Sequence, residues 1–217
     1  MLSGNILKII AAISMLIDHI GYMFFPEVSI FRIIGRLSFP IFAFMIAQGC
    51  IYTRNKALYL VRMLLLAIAC QIPYFFIAKE IYLGILFTFS LSIIAIYAFL
   101  LFKNSQKRIL TFPLFVFTVA MIYFINKLIE IDYGFWGCIV PLFAVIFKKQ
   151  PYNTSSFFVG LVILSVSLDG IQPYCLLALP FLFLYSGKRG KANMKYFFYI
   201  FYPLHLVILY AVNIIFF

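Results

Sequence analysis

The chain is short of charge: 11% of its 217 residues are Asp, Glu, Lys or Arg, against about 25% in soluble proteins. So few charges cannot cover a surface of this size in water. Acid is scarcest, with 6 Asp plus Glu against 17 Lys plus Arg and a formal charge of +11. Histidine occurs only twice. The four cysteines, Cys50, Cys70, Cys138 and Cys175, lie scattered in apolar runs with no C-x-x-C spacing, so the sequence offers neither a disulfide framework nor a zinc site. No repeat, low-complexity tract or linker is found, and no stretch is left over for a soluble domain. Residues 1–217 read as a single integral membrane domain.

What the chain has in abundance is apolar: 66% of residues are hydrophobic and the mean hydropathy is +1.12. A helix needs roughly 20 apolar residues to cross the hydrocarbon. Apolar runs and their polar breaks predict an all-α, polytopic transmembrane bundle of about nine helices, at 5–25, 30–51, 57–78, 81–102, 109–129, 133–148, 154–168, 171–186 and 195–216. The two short spans, 154–168 and 171–186, could instead form a re-entrant hairpin. The first run has no basic segment before it beyond Lys8 and contains Asp18-His19, which predicts a retained helix rather than a cleaved signal.

The signs of the loop charges test this count. Alternate breaks hold Arg54 and Lys56; Lys103, Lys107 and Arg108; Lys148 and Lys149; and Lys188, Arg189 and Lys191, with no acid among them. The other breaks hold Glu27, Glu80, Glu130, Asp132 and Asp169, every acid except Asp18. Basic loops belong on the cytoplasmic face, so the N-terminus is expected in the cytoplasm and the C-terminus outside. The positive charge thus reads as topology, in contact with membrane lipids, and not as a nucleic-acid surface.

Function is then sought in polar residues at membrane depth. An ionisable group there is costly and usually faces a protein interior with a partner. Asp18 and His19 lie inside the first span, about 100° apart around the helix, so one can catalyse while the other orients or pairs; a structural ion pair is the plainer alternative for Asp18. Arg32 and Arg36 share a face of the second span. Arg32 is expected to snorkel to the outer interface, whereas Arg36, a turn deeper, suits a pair with Asp18. Pro40 is expected to kink this span. His205 lies in the last span with Tyr202 on its face, so both histidines fall at membrane depth, where imidazoles tend to line pathways or reactive sites; a helix–helix hydrogen bond is the plainer alternative for each. Arg54, Arg62, Lys188 and Arg189 read as a basic cytoplasmic rim, which serves topology or docks a phosphate-bearing cofactor.

These residues resemble the TraX family. The resemblance is carried by Leu7 to Ala11, Met15-Leu16-Ile17-Asp18-His19-Ile20-Gly21, Arg32 to Phe44, Thr53-Arg54-Asn55 with Tyr59 and Arg62, Asp132-Tyr133-Gly134, Leu179-Pro180, Gly187-Lys188-Arg189-Gly190, and Phe198 to Leu206. It runs the length of the chain, departing at Gln71, where the family often has glutamate, and at Ser186, where asparagine is common. The family is typified by a conjugative protein that acetylates the pilin N-terminus and is similar to multi-pass acyltransferases that use cytoplasmic acyl-CoA. The resemblance therefore implies a bacterial cytoplasmic-membrane enzyme, acetyl-CoA as acyl donor, and an acceptor peptide amine or glycan hydroxyl at or beyond the membrane, with no metal. In that role His19, with His205 as partner or alternative, would be the base, Asp18 would orient it, and Arg36 would stabilise the oxyanion or pair with Asp18. Arg54, Arg62, Lys188, Arg189 and Tyr202 would hold the cofactor. Two other classes remain open, a proton-coupled transporter or channel and a non-catalytic membrane assembly factor. Against the transporter stands the lack of the inverted repeat and paired broken helices that many transporters show.

Overall fold

A computed structural model describes residues 1–78, 82–168, 170–192 and 194–216. Glu80 and Asp169, assigned above to loop breaks, lie outside the described residues. The chain is helical almost throughout: α1 (Gly4–Phe24), α2 (Ser29–Gly35), α3 (Ser38–Tyr52), α4 (Lys56–Ala78), α5 (Ile85–Asn104), α6 (Arg108–Leu128), α7 (Gly134–Phe143), α8 (Tyr152–Ser167), a 3-10 helix (Gln172–Ala178) continued by α9 (Leu179–Phe183), and α10 (Lys195–Phe216). Each of the nine expected apolar segments contains helix. Five described stretches are long and apolar enough to cross a membrane: α1, Ser29–Tyr52, α5, α6 and Phe197–Ile215 of α10. The chain is an all-α multi-pass membrane bundle, as its hydropathy predicts.

Three spans differ from expectation. The second is broken at Arg36-Leu37 instead of merely kinked. Pro40 has no N–H to donate to the Arg36 carbonyl, and its ring crowds that carbonyl, so α2 stops and α3 restarts just before it. The span expected over 133–148 is helical only over α7, roughly 15 Å of rise. Beyond it, Ala144, Val145 and Ile146 bond three residues back, to Pro141, Leu142 and Phe143, and the ladder ends in tight turns. The span at 171–186 is split between the 3-10 helix and α9, with Pro173 and Pro180 each at the start of a segment, where a missing N–H costs least.

The chain forms two compact units, Met1–Met45 with Ser165–Phe217, and Ile46–Leu164. In the second unit α5 is the hub, packed against α4, α6 and α7 through Leu86, Phe89, Ile93, Ala95, Ile96 and Leu100. A two-residue parallel ladder pairs β1 (Tyr82–Leu83) with β2 (Glu130–Ile131). Gln71 on α4 ties down its edge: Nε2 donates to the Tyr82 carbonyl at 2.7 Å, and Oε1 accepts from the Gly84 N–H at 3.2 Å. At the same junction Thr88 donates to the Asp132 carbonyl. The Tyr82 phenol is held above its ordinary pKa, first by burial and then by the Asp132 carboxylate, and stays neutral.

In the first unit, α1 packs against α2 and α10, and α2 against the 3-10 helix. The Gly187-Lys188-Arg189-Gly190 loop closes the start of α1. The carbonyls of Lys188 and Arg189 accept from the N–H groups of Gly4 (2.8 Å) and Asn5 (2.9 Å), and Asn5 Nδ2 donates to the Ala192 carbonyl (2.6 Å). These contacts satisfy donors that a helix start leaves open. The loop can take this path because Gly187 and Gly190 adopt φ of 72° and 99°, a region other residues rarely enter.

Both ends of the Gln71 carboxamide are used, so Gln71→Glu should place an acceptor against the Tyr82 carbonyl. A buried acceptor left without its donor costs about 1–3 kcal/mol. Thermal unfolding in detergent should show a lowered Tm, and an unchanged Tm would contradict this role for the junction.

Candidate active site

The polar residues expected at membrane depth converge in the first unit. After the turn at Pro26-Glu27, α2 runs back along α1, and the two backbones nearly touch at two glycines. A Cβ on Gly21 would fall on Phe31, and a Cβ on Gly35 would fall on the Asp18 carboxylate. Into this close approach both arginines of α2 reach. Arg32 Nη1 lies 2.8 Å from Asp18 Oδ2, and Arg36 Nη2 lies 3.4 Å from Asp18 Oδ1. Arg32 also stacks over the Tyr22 ring. Arg32 therefore does not snorkel to the interface: its guanidinium is spent on Asp18, the nearer of the two partners. The expected Asp18–Arg36 pair is present, as the second arm of a clamp.

Arg36 connects further. Its Nε donates to the Arg32 carbonyl at 3.4 Å and its Nη1 to Gln172 Oε1 at 3.3 Å. Gln172 was missed in the sequence. Its signal in the sequence is a long polar side chain between Ile171 and Pro173 at the start of an apolar segment.

The two histidines, 186 positions apart, meet. His205 Nε2 lies 3.2 Å from His19 Nδ1, and the ring centroids are 5.1 Å apart. His205 Nδ1 lies 2.9 Å from the Phe201 carbonyl. A carbonyl only accepts, so Nδ1 of His205 carries the hydrogen. In the neutral ring Nε2 then accepts, His19 Nδ1 donates to it, and Nε2 of His19 is the pair's remaining acceptor. Phe201 stacks on the His205 ring at 5.0 Å and Tyr202 meets it edge-on at 5.7 Å, while His205 is only 5% exposed. The second imidazole is thus locked and the first is oriented by it. Asp18, with an oxygen on each arginine, makes no such contact. The group in contact with the His19 ring is His205, where Asp18 was the expected neighbour.

The basic residues are divided. Lys188 and Arg189 are exposed on the loop that closes α1; Arg54 and Arg62 are exposed in the second unit. Tyr202 sits against His205, away from the charged loop. From Gly4 to His19, α1 rises roughly 22 Å, so the histidine pair lies most of a bilayer's thickness from that loop. Lys8 over Phe198 and His19 against His205 pair rising numbers on both helices, so α1 and α10 run in the same direction, as a first and a ninth span must. Among the described residues no group of three or more His, Cys, Asp or Glu could hold a metal.

A carboxylate clamped by two arginines and an imidazole pair, both inside apolar helices, define a multi-pass membrane protein with a polar centre at span depth. The chain belongs to the TraX family: the family model, described as TraX protein, matches residues 3–213. It is 27% identical to "Probable fimbrial assembly protein FimC, serogroup H1" of Dichelobacter nodosus, over 94% of this chain and 92% of that protein. A 40-residue stretch, 18% of this chain and 16% of its counterpart, is 52% identical to "Uncharacterized protein RP591" of Rickettsia prowazekii (strain Madrid E). No solved structure matches the chain.

Gly35→Ala should drive a methyl group into the Asp18 carboxylate and part α1 from α2. Overpacking of this kind costs about 1–3 kcal/mol. Thermal unfolding should register it, whereas Gly84→Ala, at a glycine with φ −68° whose Cβ would come no nearer than 3.9 Å to Gln71, should change the Tm little. An equal loss in both variants would contradict the close-approach argument.

Proposed function

We propose that the protein is a membrane acetyltransferase that moves an acetyl group from acetyl-CoA to an amine or hydroxyl of an envelope or secreted acceptor, such as a pilin-like peptide. The observation that carries this reading is the His19–His205 contact at 3.2 Å within two membrane-depth helices. A pair in which one ring is anchored on the Phe201 carbonyl and accepts from the other, leaving the other's second nitrogen as an acceptor, is what a general base requires. His19 Nε2 takes the proton from the acceptor amine or hydroxyl as its nitrogen or oxygen attacks the thioester carbonyl. The new N–C or O–C bond forms, the C–S bond breaks, and the proton passes to the departing thiolate, releasing coenzyme A. His205 Nε2 accepts from His19 Nδ1–H and steadies the imidazolium, as the acid does in a hydrolase triad. Arg36, held against Asp18, contributes positive charge near the developing oxyanion.

Lys188 and Arg189 would hold the donor's phosphates at the cytoplasmic face. This reading places the basic loops in the cytoplasm and the protein in the bacterial cytoplasmic membrane. Acceptance of a peptide is supported by the relative whose name speaks of fimbrial assembly. That same name favours a second reading, a membrane assembly factor without catalysis, in which the polar centre serves stability alone.

Membranes containing the wild-type protein should release free thiol from acetyl-CoA and transfer the acetyl group, and coenzyme A should raise the Tm of the purified protein. His19→Ala should lower transfer about 10²–10⁴-fold, the usual worth of a positioned base, with His205→Ala less severe. Full transfer in both variants would overturn the histidine assignment. A protein that neither transfers acetyl nor is stabilised by coenzyme A would favour the assembly factor.

A further inference from the structure

Gln172 opens the 3-10 helix and is 4% exposed. Its Oε1 accepts from Arg36 Nη1. Because a guanidinium only donates, this contact settles which end of the carboxamide is oxygen. Nε2 is then a buried pair of N–H donors, and among the described residues it has no hydrogen-bond partner. A buried donor left unmade costs stability, and an apolar side chain of the same shape would avoid that cost. The amide is therefore poised for an acceptor that arrives with a ligand.

The chemistry of the ligand follows from the division of the site. On one side the histidine pair offers an acceptor, suited to a group with a proton to lose. On the other, Gln172 and Arg36 offer donors joined to each other, suited to an oxygen that accepts and does not donate. In acyl transfer the attacking amine or hydroxyl is the first kind of group and the thioester carbonyl oxygen is the second. That oxygen takes on negative charge when the new bond forms and loses it when the C–S bond breaks.

Resting on the acyl-transfer reading, we propose that the Gln172 carboxamide is a catalytic oxyanion donor: Nε2 binds the thioester carbonyl oxygen beside Arg36. Arg36 has a double duty, fixing the carboxamide's orientation through Oε1 while adding its charge. The amide is preorganised because Arg36 is itself held by Asp18 and by the Arg32 carbonyl.

Two readouts test this. Acetyl-CoA labelled with carbon-13 at the carbonyl, bound to the purified protein, should show its infrared carbonyl band shifted to lower frequency, and the shift should vanish in Gln172→Glu. That variant keeps an acceptor for Arg36, matches glutamine in shape and lacks the donor; Gln172→Met removes both polar ends and serves as a second probe. In membranes, kcat for acetyl transfer should fall about 10²–10³-fold in Gln172→Glu, the usual worth of one such donor, with coenzyme A still raising the Tm as in wild type. Near wild-type kcat in both Gln172 variants, with His19→Ala inactive, would overturn the role of Gln172 and leave acyl transfer standing. An unshifted carbonyl band in the wild type would overturn it equally. Absence of acetyl transfer by the wild type would overturn the acyl-transfer reading and this inference with it.

Discussion

Everything in the first unit depends on keeping one carboxylate at membrane depth. A lone charge there costs several kcal/mol, and Asp18 survives because α2 returns alongside α1 with two guanidiniums aimed at it. The return requires close backbones, and Gly21 and Gly35 permit them. It also requires α2 to end where it does. Pro40 frees the Arg36 carbonyl and breaks the span, leaving Arg36 at the corner, where its Nη2 reaches Asp18 and its Nη1 reaches Gln172.

The clamp in turn orders the chemistry. Asp18 and His19 are consecutive, so fixing the first sets the direction of the second about 100° around the helix. On that other face His19 meets His205, which is anchored by its own helix through the Phe201 carbonyl. Two centres of opposite hydrogen-bonding character therefore meet α1, one at His19 and one at Asp18: a histidine pair with an acceptor to offer, and an Arg36–Gln172 pair, tied to Asp18 through Arg36, with a donor to offer. Acyl transfer needs both at once, one to take a proton and one to receive negative charge.

Much of this was legible in the sequence, for stated physical reasons. Hydropathy located nine apolar segments, each of which contains helix among the described residues, because the bilayer punishes polar residues wherever they are not needed. The same penalty singled out Asp18, His19, Arg36 and His205. What the sequence hid were contacts between distant segments and their geometry. Arg32 lay close enough to a helix end to suggest snorkelling, and only the antiparallel packing of α2 on α1 shows that its nearest partner is Asp18. Asp18 was expected to orient the neighbouring imidazole, but adjacent helical residues diverge, and His205 does so from 186 positions away. Gln172 carries no charge and its segment no regular helical period, so neither hydropathy nor charge pattern marked it. The short α7 and the 3-10 stretch were hidden for a like reason: composition reports apolarity, while prolines and turn bonding decide how far a helix rises.

Because the chain has only two histidines, nitrogen-15 labelling of histidine alone yields a spectrum of four ring nitrogens, and solid-state NMR in lipid bilayers can read the pair directly. The account predicts a hydrogen on Nδ1 of each ring, a through-bond coupling between His19 Nδ1 and His205 Nε2, and a bare His19 Nε2 whose resonance moves when substrate is added. Two uncoupled imidazoles, with His19 Nε2 already carrying the hydrogen, would contradict it.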